Sequence, residues 1–218
     1  MCIRDRPYPS EWDPEGYVEG WLERRAHKVE ETQIDVFRLV AYEWAAVAEP
    51  EVPHPRQLRL GEAVQLMGYD LEAEGGCRVV EAAGDADLRL TIADPGTCTL
   101  ALTLYWQTDE PLAARYKVFT HLLGETFNAD TGNFIWGQVD SEPGGGETPT
   151  TTWAPGEIVA DRYTIPVAAG APPGQYTLEI GLYGLVNGER LPVSTADGQP
   201  LGDTVNLDAV LVQPAGQD

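Results

Sequence analysis

The stretch TPTTTWAPGEIVADRY, residues 148–163, sets a threonine run, Trp153, a Pro-Gly turn and the acids Glu157 and Asp161 close together. Three chemistries fit such a set: a sugar-binding edge, a metal loop, or a crossing between two sheets. Carbohydrate recognition stacks sugars on exposed aromatic rings and hydrogen-bonds them through Asp, Asn, Gln, His and Arg. Six tryptophans and nine tyrosines supply the rings. Trp136, Trp153 and Tyr183 have His121, Gln138, Asp140 and Asp161 as polar companions. The candidate ligand-binding set is therefore His121, Gln138, Asp140, Trp153, Asp161 and Tyr183. For Trp153 itself the structural reading is favoured, because a tryptophan in a β-rich domain usually fills a core or corner.

Nucleophilic catalysis finds less material. His27 lies in a helix-like stretch, His54 stands between two prolines, and only His121 falls among strand-like residues. There is no GxSxG elbow, and no cysteine pairs obviously with a histidine. Acids are abundant, but none stands out as the carboxylate pair of a glycoside hydrolase. NADTGN (128–133) lacks the D-x-[DN]-x-[DN]-G spacing of a calcium loop and reads as a β-turn. No cofactor is expected; a loop-bracing calcium ion near Asp130 or Asp140 has no motif behind it. Cys2, Cys77 and Cys98 form no CxxC pair, so zinc is not supported. Cys77 and Cys98 stand at strand edges, where a disulfide and two free thiols are both open readings. A disulfide would fit an extracytoplasmic location.

Composition sharpens these exclusions. Fourteen Lys+Arg against 35 Asp+Glu give a net charge of −21 and repel nucleic acid and anionic membranes. The bland consequence of that charge is solubility. No run of about 18 or more apolar residues occurs, so no segment is expected to insert into a membrane. No signal-peptide pattern opens the chain. MCIRDR (1–6) is similar to a translated sequencing-adapter remnant, on which reading Met1 is not a biological start and the chain is the tail of something longer.

The elements that must position these residues fall into two regions. In 7–47, Asp13 is suited to cap a helix with Pro14 at its first position. Val18, Trp21, Leu22 and Arg25 follow at helical spacing, and Glu19, Glu23, Arg24 and Lys28 take the other face. VFRLVAYEW (36–44) reads as a strand. A lone helix and strand cannot bury their faces, so the pair reads as a remnant of an upstream α/β region. Residues 48–57, with three prolines, read as a linker.

From 58 to 213 the pattern is all-β, with 214–218 as a tail. Expected strands include LRLGEAVQLMGYDLEA, CTLALTLYWQ, YKVFTHLL, IWGQVDS, VADRYTIPV and QYTLEIGLYG, parted by turns such as NADTGN, EPGGG and APPG. The 23 glycines and 17 prolines punctuate many short strands. By period two, Leu100, Leu102, Leu104 and Trp106 share a core face, as do Tyr176, Leu178, Ile180 and Leu182. Thr177, Glu179, Gly181 and Tyr183 face outward, with room at Gly181 for a neighbouring ring. His121 shares its side with Lys117, Phe119 and Leu123. The expected fold is all-β, a jelly-roll-like or immunoglobulin-like β-sandwich after a short helix–strand piece.

An ordered series runs through this region: YKVFTHLLG (116–124), GQVDSEP (137–143), TPTTTWAPGEIVADRYTIPV (148–167), PPGQYTLEIGLYG (172–184) and GERLPV (188–193). With GEAVQLMGYDL and LALTLYW ahead of it, the series resembles the C-terminal extracytoplasmic β-sandwich of some bacterial family 39 membrane glycosyltransferases, the group of protein O-mannosyltransferases. The resemblance covers roughly residues 11–213. It departs from the usual pattern in the inserted 73–97 and in the long link NADTGNFIWG. It implies an accessory domain with no catalytic residue of its own, outside the cytoplasm. The implied partners are a glycan or glycosylation acceptor and the transmembrane part of the same parent protein. The alternatives are a carbohydrate-binding module of a secreted or surface protein, or a purely structural sandwich.

Overall fold

The computed structural model describes residues 2–5, 20, 22–23, 26–35, 37–43, 50–81, 88–92 and 94–212. They divide into two compact units, with the boundary between Glu49 and Pro50.

In the first unit, β1 (Cys2–Asp5), β2 (His27–Ile34) and β3 (Phe37–Glu43) form an antiparallel sheet in the order β1-β3-β2. The strand expected at 36–44 is β3. The helical reading through Lys28 is corrected: the backbone is extended from His27 and pairs with β3 as a hairpin. Asp35 turns that hairpin at φ 54°, a conformation Asp tolerates better than most residues. Leu22, Val40 and Tyr42 bury together with Ala26 against them. Most of the expected helix, Asp13, Pro14, Val18, Trp21 and Arg25, lies outside the described residues, as does the tail 214–218.

The second unit is the expected all-β sandwich. Its strands are β4 (His54–Leu60), β5 (Val64–Glu74), β6 (Cys77–Glu81), β7 (Leu88–Ile92), β8 (Thr99–Thr108) and β9 (Tyr116–Asn128). There follow β10 (Asn133–Ser141), β11 (Val159–Pro166), β12 (Gly174–Gly184), β13 (Val193–Thr195), β14 (Pro200–Gly202) and β15 (Val205–Val212). One six-stranded sheet runs β10-β9-β12-β15-β7-β6, the other β11-β8-β5-β4-β13-β14. All pairings are antiparallel except β15 with β7. His54–Gln57, in the stretch that reads as a linker, already belong to β4. The single strand expected over 58–73 is two, folded as a hairpin at Gly61, φ +64°.

The core lies between the sheets. Leu100, Leu102, Leu104 and Trp106 from β8 are fully buried and meet Leu178, Ile180 and Leu182 from β12 in one apolar cluster. Period two turns the residues beside them, among them Thr103, Thr177, Glu179 and Tyr183, to the opposite face of each sheet, where these four are partly exposed. Among the described residues no helix is long and apolar enough to cross a membrane.

Residues 142–158 carry the chain from β10 in one sheet to β11 in the other. This is the crossing that the opening stretch permits, and each unusual residue has a part in it. Thr150 is fully buried; its hydroxyl donates to the Ala114 carbonyl (2.9 Å) and accepts from the Tyr116 amide (3.2 Å). Trp153 is 4% exposed, stacks on Trp106 at 6.5 Å, and its Nε1–H donates to the Thr148 carbonyl (3.1 Å). Ala154 to Glu157 close a turn (3.1 Å) in which Gly156 takes φ +80°, the value a type II turn requires at its third position.

Candidate functional site

The outer face of the first sheet gathers polar side chains in rows set by register. Directly paired residues on neighbouring strands point to the same face. Gln138 on β10, His121 on β9 and Glu179 on β12 form one row. Asp140, Phe119 and Gly181 form the next, and Lys117 beside Tyr183 the one after. A Cβ at Gly181 would run into the Phe119 ring, so glycine there lets that ring lie against β12. The room expected at this glycine is taken by an aromatic ring.

His121 stands between two carboxylates, with Nε2 3.4 Å from Asp140 Oδ1 and Nδ1 3.6 Å from Glu179 Oε1. The Tyr183 hydroxyl points at Asp140 Oδ2 (3.5 Å). Burial first, then the Asp140 charge, raises the Tyr183 phenol above its usual range, so it stays a donor. Phe119 packs against His121 (centroids 4.9 Å apart) and Tyr183 (6.4 Å). Arg190, bridged to Tyr183 through the backbone, lays its guanidinium over Phe119 at 4.3 Å and sits 3.8 Å from Asp203.

Phe119, His121, Asp140, Tyr183, Gly188 and Arg190 line an open depression of about 180 Å³. That is below the roughly 300–1,000 Å³ of pockets that enclose a whole ligand, so it accommodates one small group presented from outside. It offers the Asp140 carboxylate as acceptor, imidazole, phenol and guanidinium groups, and ring edges, all on paired strands or a tied turn.

The structure thus brings together three of the six sequence candidates, His121, Asp140 and Tyr183. Gln138 is exposed in the row of His121 but is not part of the lining. Trp153 and Asp161 are elsewhere, inside the crossing, 4% and 2% exposed. Their burial follows from the crossing itself: the ring fills the corner over Trp106, and the carboxylate caps loop amides. Asp161 Oδ1 accepts from the Gly144 amide (2.9 Å) and Oδ2 from the Tyr163 hydroxyl. Burial raises the Asp161 carboxyl above its usual range, while these two donors pull it back. Burial also drives the Tyr163 phenol far up.

Arg190 and Glu179 are site residues that the sequence reading passed over. Glu179 was legible by parity, outward and two residues from Gly181. Arg190 follows a turn and meets Phe119 only through the fold.

NADTGN is a hairpin turn between β9 and β10. Asn128 braces it, accepting from the Asp130 amide (3.1 Å) and donating to the Ile135 carbonyl (2.9 Å), while Asp130 is exposed. Cys77 and Cys98 are joined in a disulfide, Cα atoms 5.2 Å apart, which links the start of β6 to the entry of β8 and so ties the two sheets. Among the described residues no His, Cys, Asp or Glu cluster is arranged to hold a metal ion. Compared with known proteins, the chain matches no family model and no curated sequence.

Proposed function

We propose that the sandwich is a carbohydrate-recognising accessory domain that acts by binding, on the extracytoplasmic side of a membrane as part of a glycosyltransferase. The observation that carries the binding reading is the convergence of His121, Asp140, Tyr183 and Arg190 around the Phe119 ring. Paired acceptors and donors beside an aromatic edge suit vicinal hydroxyls, which both give and take hydrogen bonds. The strands hold these groups in register, so little ordering is lost on binding. The disulfide supports an oxidising compartment. The glycosyltransferase context rests on the motif series from 116 to 193.

A glycan array probed with the full chain tests the binding reading. Selective binding that His121→Ala and Tyr183→Ala abolish in folded protein supports it; uniform absence of binding refutes it. The parental context is tested on the native coding sequence upstream. About a dozen hydrophobic spans of about 20 residues each support a membrane glycosyltransferase, and a secretion signal with no spans supports a free-standing carbohydrate-binding module.

A further inference from the structure

We infer that the depression accepts electrically neutral sugars and rejects their uronic acid counterparts, with Arg190 kept from acting as an anion receptor. This rests on the carbohydrate reading above. Each cation or potential cation of the lining already faces a carboxylate. His121 has Asp140 at 3.4 Å and Glu179 at 3.6 Å. Arg190 has Asp203 at 3.8 Å, and its flat face is spent on Phe119 at 4.3 Å. Lys117, one row away beside Tyr183, is not part of the lining.

A carboxylate brought into the depression would therefore meet Asp140 directly, with Glu179 beside His121 and Asp203 beside Arg190. It would also approach a chain of net charge −21. Like charges placed together at an interface are a strong device against the wrong partner. A hydroxymethyl group at the same position meets Asp140 as a donor and is welcomed. The selectivity is thus a matter of one group on the sugar, hydroxymethyl against carboxylate.

Matched pairs of hexosides and hexuronides, identical apart from that group, provide the probe. Binding of the full chain to both is measured at low salt and at about 1 M salt, where the screening length falls to about 3 Å. The expected result is binding to the hexosides at least about tenfold tighter, the equivalent of about 1.4 kcal/mol, with the gap narrowing at high salt. Asp203 is 58% exposed in its side chain, so Asp203→Asn is compatible with folding. That variant releases Arg190 and is expected to gain several-fold for hexuronides, with hexoside binding unchanged. Hexuronides bound as well as or better than hexosides would overturn the selectivity and leave the carbohydrate reading standing. An Asp203→Asn variant that gains nothing for hexuronides would overturn the role of Arg190. Binding of neither series would remove the carbohydrate reading and the selectivity together.

Discussion

Replacing Asp161 separates the cost of losing a buried acceptor from the cost of burying a charge. Its carboxylate accepts from the Gly144 amide at 2.9 Å and from the Tyr163 hydroxyl, at 2% exposure. Asp161→Ala takes an acceptor from the buried Tyr163 hydroxyl, whereas the amide of the exposed Gly144 can turn to water, so the expected loss is about 1–3 kcal/mol. Asp161→Asn keeps an oxygen for Gly144 and turns an amide toward Tyr163, whose hydroxyl can accept as well as donate. Its expected loss at neutral pH is below about 1 kcal/mol, and a gain is allowed, because an uncharged group no longer has to be desolvated.

The pH dependence fixes the sign. Burial raises the folded-state pKa of Asp161 above its unfolded value, near 3.8. The folded state then holds the proton more tightly than the unfolded one. Relative to Asp161→Asn, the wild type should gain stability as pH falls through the raised folded value toward 3.8. Above the raised value the difference should be flat. The comparison with Asn removes the common effect of the other acids in a chain of net charge −21. Urea unfolding of the three proteins, followed by tryptophan fluorescence across that range, reads both quantities. An Asp161→Ala variant within about 0.5 kcal/mol of wild type, or a wild-type advantage that grows as pH rises, would refute the role of Asp161 as a buried acceptor.

Trp153→Ala should destabilise by about 3–5 kcal/mol, and Trp153→Phe by much less, since the stack on Trp106 survives; chemical denaturation checks both. A folded Trp153→Ala that loses glycan binding alone would return this residue to the binding edge. Replacing Cys77 and Cys98 by alanine opens a loop of sequence separation 21. The expected loss is about 3 kcal/mol by the chain-entropy estimate, matched by reductant on the wild type and read by urea unfolding. Gly181→Ala should displace the Phe119 ring and weaken ligand binding with the sandwich still folded, as read by circular dichroism beside the binding assay.

Much of the sandwich was legible because burial on one side leaves a period of two in the chain. β8 and β12 announce themselves through Leu100 to Trp106 and Tyr176 to Leu182, every alternate residue buried. A crossing was legible in 148–163 through its threonines, Trp153 and the Pro-Gly turn; the structure runs it over 142–158. The first hairpin was not: Gly61 is one residue in LRLGEAVQL, a stretch that mixes apolar and polar residues throughout, and periodicity alone does not mark where a strand reverses. The helical reading through Lys28 fell short because charged residues fit an exposed edge strand as well as a helix face. In the site, parity placed Phe119, His121, Glu179 and Tyr183 on one side of their strands. Which strands adjoin is a matter of topology, and only the order β10-β9-β12 brings Asp140 to His121. Composition alone drew Trp153 and Asp161 toward a ligand; the crossing uses both for itself.

The most direct test of the central claim is the affinity of the full chain for the best sugar on the array, measured for wild type, His121→Ala, Tyr183→Ala and Trp153→Phe by titration calorimetry. The two depression variants are expected to lose at least about tenfold, about 1.4 kcal/mol, while Trp153→Phe binds as wild type. Sugar binding that survives both depression variants and fails in Trp153→Phe would contradict the account.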